Sequence, residues 1–588
     1  MGNGLWKHKP FLGENMKTVN EKYYHVLSQE YPTVGSICHE IIQLKALLNL
    51  PKGTEHYISD LHGEYQAFRH LMNNCSGVIK EKVIVLFQKE MTTKQMNDFC
   101  TFIYYPQKKL SISHSEEWYQ DHILRLIRLT RYITSKYSRN TVRNYIQSDY
   151  SDIIDELLHA QLDEMDQQYK YHLQIIDSII ELNQQNEFMN ILIDIIKYFA
   201  IDQLHILGDL FDRGSQPDKI IEDLIEYKRV DIQWGNHDIL WMGAYLGQCA
   251  CIVTVIKNCL HYRHTNLLER SYGIPLRQLM VLSCQRYPNI DAMEAMEKYC
   301  LELLIKLESQ LIVKYPSWNM SYRIENLCLE ALAQEEIELI HDWKKSFKRS
   351  YQLKRHMHFL FKNGSLYLRT NHNLLFHGCV PLDDQGHFYI HREWIKPLSG
   401  KAYFDYVNQL ILNAYDTHEN IDYFWYLWCS EYSPLCGRRI VLDHPQDELK
   451  NPYYHFIEQK QTCINILSEF HLYEKECMII NGHTPVRVKE GESPLKSHRK
   501  LVIIDGGFCV QNQLKTGVAG YTLISNSHGM RLKTHHIHQG TFEKDVEYDS
   551  QIIYTRVHQE MIKDTKRGEQ LQDKINDLKQ LLVMKKNW

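Results

Sequence analysis

The sequence predicts an α+β fold: a strand-built core carrying large helical insertions and closed by a helical tail. Three observations predict it. Short β-rich runs at residues 57–59, 204–207, 230–234, 374–376, 478–480 and 501–504 each stop at a polar, glycine-containing turn. The long stretches between them carry helical rather than alternating periodicity. The last 70 residues pass from an alternating segment into a helical stripe.

Taken in order, the first strand ends in DLHGE, and a helical insertion at about residues 105–200 follows. Ile123, Leu126, Ile127 and Leu129 recur at near-helical spacing there, and residues 175–199 continue in the same style. The next two strands end in GDLFDRG and GNHD, close enough for a strand-helix-strand unit. A second insertion spans about 242–361, with Leu301, Leu304 and Leu307 on one face. Three further strands end in HGCV, NGHTPV and DGGF. After Gly520, YTLISNSHGMRLKTHHI alternates about a Ser-Asn-Ser-His-Gly turn and reads as a hairpin. Residues 1–545 are therefore expected to form one catalytic unit with two insertions, and 546–588 a helical tail. Leu571, Ile575, Leu578 and Leu582 form a stripe on that tail, which docks on the body or, as the alternative, pairs two copies in a homo-oligomer.

Composition excludes several classes. With 44% hydrophobic and 24% charged residues the 588-residue chain is expected to pack an ordinary globular core. A balance of 67 basic against 72 acidic residues gives no global attraction for nucleic acid or an anionic membrane. No apolar run reaches the roughly 18 residues of a membrane span; the cluster at 191–196 is broken by Asp194. The 15 cysteines show no CxxC spacing and the first residues lack a signal-peptide core, so reduced thiols in the cytoplasm are expected. Met1-Gly2 opens like a myristoylation signal, but Trp6 stands where Ser or Thr is needed.

The chemistry sits in the turns. Asp60 and His62 let a carboxylate and an imidazole reach one ion from a strand end, although alone the pair equally describes a cap and a solvated histidine. In GDLFDRG, Asp209 and Asp212 crowd together beside Arg213, which costs energy unless a cation or a partner absorbs the charge; a metal would do so. One such carboxylate can bridge two divalent ions, and the guanidinium can grip a phosphate above them. In GNHD, Asn236 offers a neutral oxygen to metal or substrate. His237 can protonate a leaving alcohol if Asp212 holds its other nitrogen. His377 and His483 follow two more apolar runs and read as ligands of a second ion. His535, His536 and His538 read as surface residues of the hairpin, because successive strand residues point to opposite faces.

The ordered set DxH, GDxxDRG, GNHD, His377 and GHxP resembles the calcineurin-like metallophosphoesterases, whose fold is a β-sandwich flanked by helices. Within them the chain resembles the class III fructose-1,6-bisphosphatases of bacteria, through YISDLHGEYQAF, NCSGVIKEK, GHTPVRVKEGESPLK, KLVIIDGGF and TGVAGYTLISNSHG. The likeness covers nearly the whole chain, including the insertion between DLHGE and GDLFDRG that separates this family from the protein Ser/Thr phosphatases.

That resemblance implies one ion on Asp60, His62 and Asp209 and a second on Asp209, Asn236, His377 and His483. It implies manganese, whereas the donor chemistry by itself also admits iron or zinc. It further implies that water attacks the 1-phosphate of fructose 1,6-bisphosphate while His237, oriented by Asp212, protonates the leaving oxygen and Arg213 steadies the charge. Arg438, Arg487 and Lys489 are candidates for the distal phosphate, or else solvated cations. Cys509, where serine is usual, and Glu490, inside a basic run, depart from the family pattern. Two competing readings are a phosphoprotein phosphatase, disfavoured because no SAPNY-like segment is found, and an inactive scaffold, disfavoured because every ligand type is present.

Overall fold

Fourteen strands are present among the residues the computed structural model describes, namely 22–159, 166–442, 448–509, 513, 516–536 and 548–586. The chain start and His538 lie outside them. The strands are β1 Glu55–Ile58, β2 Gln203–Ile206, β3 Val230–Gln233, β4 Gly364–Ser365, β5 Tyr367–Thr370, β6 Asn373–Phe376 and β7 Arg438–Arg439. They continue as β8 Leu449–Lys450, β9 Met478–Asn481, β10 Leu495–Lys496, β11 Leu501–Ile503, β12 Tyr521–Asn526, β13 Gly529–His535 and β14 Tyr548–Thr555. All six predicted runs are strands, and β12 and β13 form the predicted hairpin.

Two mixed sheets result. The first has the order β14-β13-β12-β1-β2-β3-β4, with β1 to β4 parallel and β12 to β14 antiparallel. The second runs β10-β11-β9-β6-β5, its central three strands parallel. Alternation along each strand divides the side chains between two cores. Tyr57, Leu375, Ile480, Val502 and Leu523 belong to one cluster shared by both sheets, whereas Ile58, Leu374, Ile479 and Leu501 face the helices in another.

Among the described residues, the interval from Tyr65 to Ala200 holds helices and their turns and no strand, so the first insertion begins well before residue 105. Its amphipathic helices, among them Glu116–Thr134 capped by Ser115, bury a core of their own. The second insertion runs from the helix Asn236–Leu246 to the helix Tyr351–Asn363 and packs on the main core. No helix among the described residues is long and apolar enough to cross a membrane.

The tail departs from expectation in one respect. Residues 548–555 form β14 on the edge of the first sheet, as β-branched Ile552 and Ile553 favour, and helix among the described residues of the tail is confined to a 3-10 turn at Ile562–Asp564 and the α-helix Lys566–Lys586. Its Ile575, Leu578 and Leu581 dock on Ile37, Ile41 and Leu44 of the helix Val34–Leu47. His535 also differs from expectation: it is buried, its Nε2 2.7 Å from Thr522 Oγ1, because the alternation that exposes His536 turns its neighbour inward.

Candidate active site

The strands β1, β2 and β3 of one sheet and β6, β9 and β11 of the other end side by side, and their following turns supply the site. Asp60, His62, Asp209, Asp212, Arg213 and His483 all have positive φ, the conformation a tight strand-end turn needs and side chains rarely adopt. The neighbouring glycines allow the close approach. A Cβ on Gly482 would meet Ser59 Oγ at 1.9 Å and Asp60 Oδ2 at 2.5 Å; one on Gly235 would meet Asp209 Oδ1 at 2.0 Å.

Asp209 lies at the centre, with Oδ2 3.7 Å from His62 Nε2 and 3.3 Å from His377 Nε2. Asp60 Oδ1 is 3.8 Å from His62 Nε2, and Asp60 Oδ2 accepts from the His483 backbone at 3.1 Å. His377 Nε2 is 3.1 Å from His483 Nδ1. Each histidine has its far nitrogen held by a carbonyl: His62 by Phe211, His377 by Leu207 and His483 by Cys436. Those partners orient the three rings so that the inner nitrogens point into the cluster.

Burial, then Arg213, keeps the His62 imidazole neutral, and burial, then Arg438, does so for His483. Burial raises the Asp60 carboxyl, and Asp209 adds to the effect. Burial also opposes charge on Asp209 and His377, but their mutual attraction outweighs it, driving the carboxyl down and the imidazole up. Two buried polar atoms in this group, His62 Nε2 and Asn236 Oδ1, have no hydrogen-bond partner. An orphaned imidazole nitrogen and amide oxygen beside two carboxylates is a donor set that fits divalent cations. Asp209, His377 and His483 offer three donor atoms within 4.8 Å of one another, as do His62, Asp209 and His237.

Beside this cluster His237 Nδ1 is 2.7 Å from Asp212 Oδ2. The same carboxylate accepts from Trp241 Nε1 at 2.9 Å and Asn258 Nδ2 at 2.8 Å. The Trp428 ring meets His237 edge to face, with centroids 4.9 Å apart. Arg213 faces the carboxylates. Burial works against its charge, but Tyr262, Asp209, Asp505 and Asp60 outweigh it.

Sequence comparisons give the family. A family model described as firmicute fructose-1,6-bisphosphatase matches residues 22–330 and 324–587. The chain belongs to that family. It is 39% identical to a fructose-1,6-bisphosphatase class 3 of Clostridium beijerinckii over 97% of each chain. It is 38% identical to one of Clostridium botulinum, over 96% of this chain and 95% of that one. A solved structure, the cold-active protein-tyrosine phosphatase of a psychrophilic Shewanella, aligns with a TM-score of 0.25 and 16% identity over 59% of this chain and 69% of that one, too weak a likeness to carry any argument.

Within this family member the structure gathers Asp60, His62, Asp209, Asp212, Arg213, Asn236, His237, His377 and His483. Arg438 borders them, donating to the His483 carbonyl at 3.3 Å and Thr484 Oγ1 at 3.0 Å. Arg487 is not brought in: it is exposed and paired with Glu490, the acid noted in the basic run. Lys489 is exposed as well.

Four contributors were not singled out from the sequence. Asp238 ties the site together, accepting from the backbone of Asp209, Leu210 and Gly235, each at 2.9 Å. Burial, then Asp209, pushes its carboxyl up to about 7. Asp505, raised well above the usual range by burial and then by Asp60, sits in the DGGF turn, which shares the strand-end signal of the other motifs. Trp241 lies one helical turn beyond His237 and so was within reach of spacing arguments. Asn258, on the next helix, had no local signal.

Proposed function

We propose that the chain hydrolyses fructose 1,6-bisphosphate to fructose 6-phosphate and phosphate, as a step of gluconeogenesis in the cytoplasm. The two facing sheets are read as the β-sandwich of the calcineurin-like metallophosphoesterases. The reading rests above all on the orphaned donors His62 Nε2 and Asn236 Oδ1 flanking the buried Asp209. Asp60, His62 and Asp209 would hold one divalent ion and Asp209, Asn236, His377 and His483 the other. Carboxylate, amide and imidazole donors accommodate manganese, iron or zinc, and the family resemblance favours manganese. Such a pair supplies an activated water and charge neutralisation on a phosphoryl group.

The remaining steps belong to side chains. Arg213 grips the phosphoryl oxygens, its charge sustained by the carboxylates around it. Asp212, fixed by Trp241 and Asn258, holds His237 Nδ1 so that Nε2 carries a proton to the departing sugar oxygen. Trp428 shields that ring from solvent on one side. Arg438 is the remaining candidate at the distal phosphate.

Phosphate release from fructose 1,6-bisphosphate, with and without added Mn2+, tests the reading beside an Asp209→Asn control. Manganese-dependent release that the control abolishes supports it. Cleavage of other phosphoesters without this one would keep the metal centre and reject the substrate.

A further inference from the structure

The far ends of β6 and β9 carry a second group of donor side chains. His372 lies in the two-residue turn between β5 and β6, and Cys477 is the residue before β9. Together with Glu474 they each offer one ligand atom, all within 4.8 Å of one another. His372 Nδ1 is 3.9 Å from Glu474 Oε2, and the buried Cys477 thiol donates to the same oxygen at 2.9 Å. None of the three belongs to the active site, and the chemistry proposed above uses none of them.

The backbone beneath them is already fixed. Asn371 and His372 take positive φ in the tight turn, and the Met478 N–H donates to the His372 carbonyl at 3.3 Å. The Cys477 N–H donates to the Glu474 carbonyl at 3.1 Å, closing that loop. Lys500 Nζ donates to the carbonyls of Lys475 and Cys477 at 2.7 and 2.8 Å, which holds the same loop from the other side. Three donors on a preformed frame need little ordering to bind.

Their chemistry selects the ion. A thiolate, an imidazole and a carboxylate suit a borderline-soft divalent ion such as Zn2+ or Co2+, whereas Mg2+ and Ca2+ want oxygen alone. Tetrahedral zinc with bonds near 2.0 and 2.3 Å sets its donors roughly 3.3 to 3.7 Å apart. His372 and Glu474, 3.9 Å apart, need to close by about 0.6 Å to reach the separation of a nitrogen and an oxygen donor, a shift the exposed Glu474 side chain can make. Cys477 and Glu474 need to open somewhat, because a thiol proton now sits where the cation would go.

We propose that His372, Glu474 and Cys477 form a binding site for a zinc-class ion, separate from the active site, that clips the β5–β6 turn to the start of β9. Binding forms the metal–sulfur, metal–nitrogen and metal–oxygen bonds and releases the Cys477 thiol proton to solvent, with no change of oxidation state. His372 is half-buried and Glu474 exposed, both toward a groove that His471 also lines, which gives the ion an entry path and leaves the fourth position to water. The clip acts on the strands that deliver His377 and His483 at their other ends.

Cobalt titration of the full-length protein, first saturated with Mn2+, tests this. The active-site donors include no thiolate, so a thiolate-to-cobalt charge-transfer band reports only a cysteine-containing site. The expected result is a band that saturates at a single equivalent per chain, collapses on Zn2+ addition and is absent in Cys477→Ser. His372→Asn, which suits the positive φ, should weaken cobalt binding by about tenfold or more without unfolding the chain. No band in the wild type, a band that survives Cys477→Ser, or unchanged affinity in His372→Asn would each overturn the assignment.

Discussion

Asp212 holds His237 through one carboxylate oxygen, Oδ2 to Nδ1 at 2.7 Å, while Asn258 and Trp241 hold the carboxylate itself. In the proposed role of proton donor, His237 can be removed without touching the residues proposed as metal ligands. His237→Ala should retain the wild-type metal content while kcat for phosphate release falls by about a hundred- to ten-thousandfold, the range a general acid contributes. Elemental analysis beside steady-state kinetics checks both halves, and lost metal would sink the assigned role.

Trp241→Phe isolates the support from the acid. The ring stack on Phe211, with centroids 4.6 Å apart, survives the change, but Asp212 Oδ1 loses its indole donor. A hydrogen bond to a charged, buried group is worth about 1.5–3 kcal/mol, so stability should drop by that order. Urea unfolding compared with wild type measures it; an unchanged midpoint would show that water or another donor replaces the indole.

Gly482→Ala probes how tightly Asp60 is placed. The backbone there can accept a side chain, but the new methyl would overlap Ser59 Oγ and Asp60 Oδ2. The carboxylate must move, and metal content and turnover should fall together while far-ultraviolet circular dichroism stays native. Full metal content in this variant would mean that Asp60 is not a ligand in this pose.

His535 makes an acid-labile point away from the site. Burial, then Lys533, depresses its imidazole from 6.5 to about 3, so the native state keeps it neutral while the unfolded chain takes up a proton. Because the folded value is the lower one, stability is complete above pH 6.5 and is lost as pH falls toward 3, by about 1.4 kcal/mol per unit. Stability measured from pH 7 to 5 in wild type and His535→Gln should show a shallower decline in the variant; parallel curves would refute the effect.

Much of the candidate site was legible in the sequence because its information is local. Each strand end is a short apolar run followed by a turn that crowds carboxylates, imidazoles and glycines into a few residues. DLHGE, GDLFDRG and GNHD therefore mark Asp60, His62, Asp209, Asp212, Arg213, Asn236 and His237 by spacing alone. What was not legible depends on contacts between distant segments. Asn258 reaches Asp212 from another helix, and β14 is a strand because β13 offers it an edge. Arg487 illustrates the converse: its sequence position beside GHTPV was right for a phosphate contact, but Glu490, three residues on, draws it into a surface ion pair.

The pairing of β1 with β12, and of the helix Val34–Leu47 with the helix Lys566–Lys586, has a consequence for biosynthesis. A ribosome emits the chain from one end, so β1 waits for about 460 further residues before its antiparallel neighbour exists. Ile37, Ile41 and Leu44 wait longer still for the tail that covers them. The helical insertion between β1 and β2, with a core largely its own, can form during that interval. Completion of the first sheet thus comes late in synthesis, and a chain stalled before β12 would present greasy, unpaired surface to chaperones and proteases rather than a weakened enzyme.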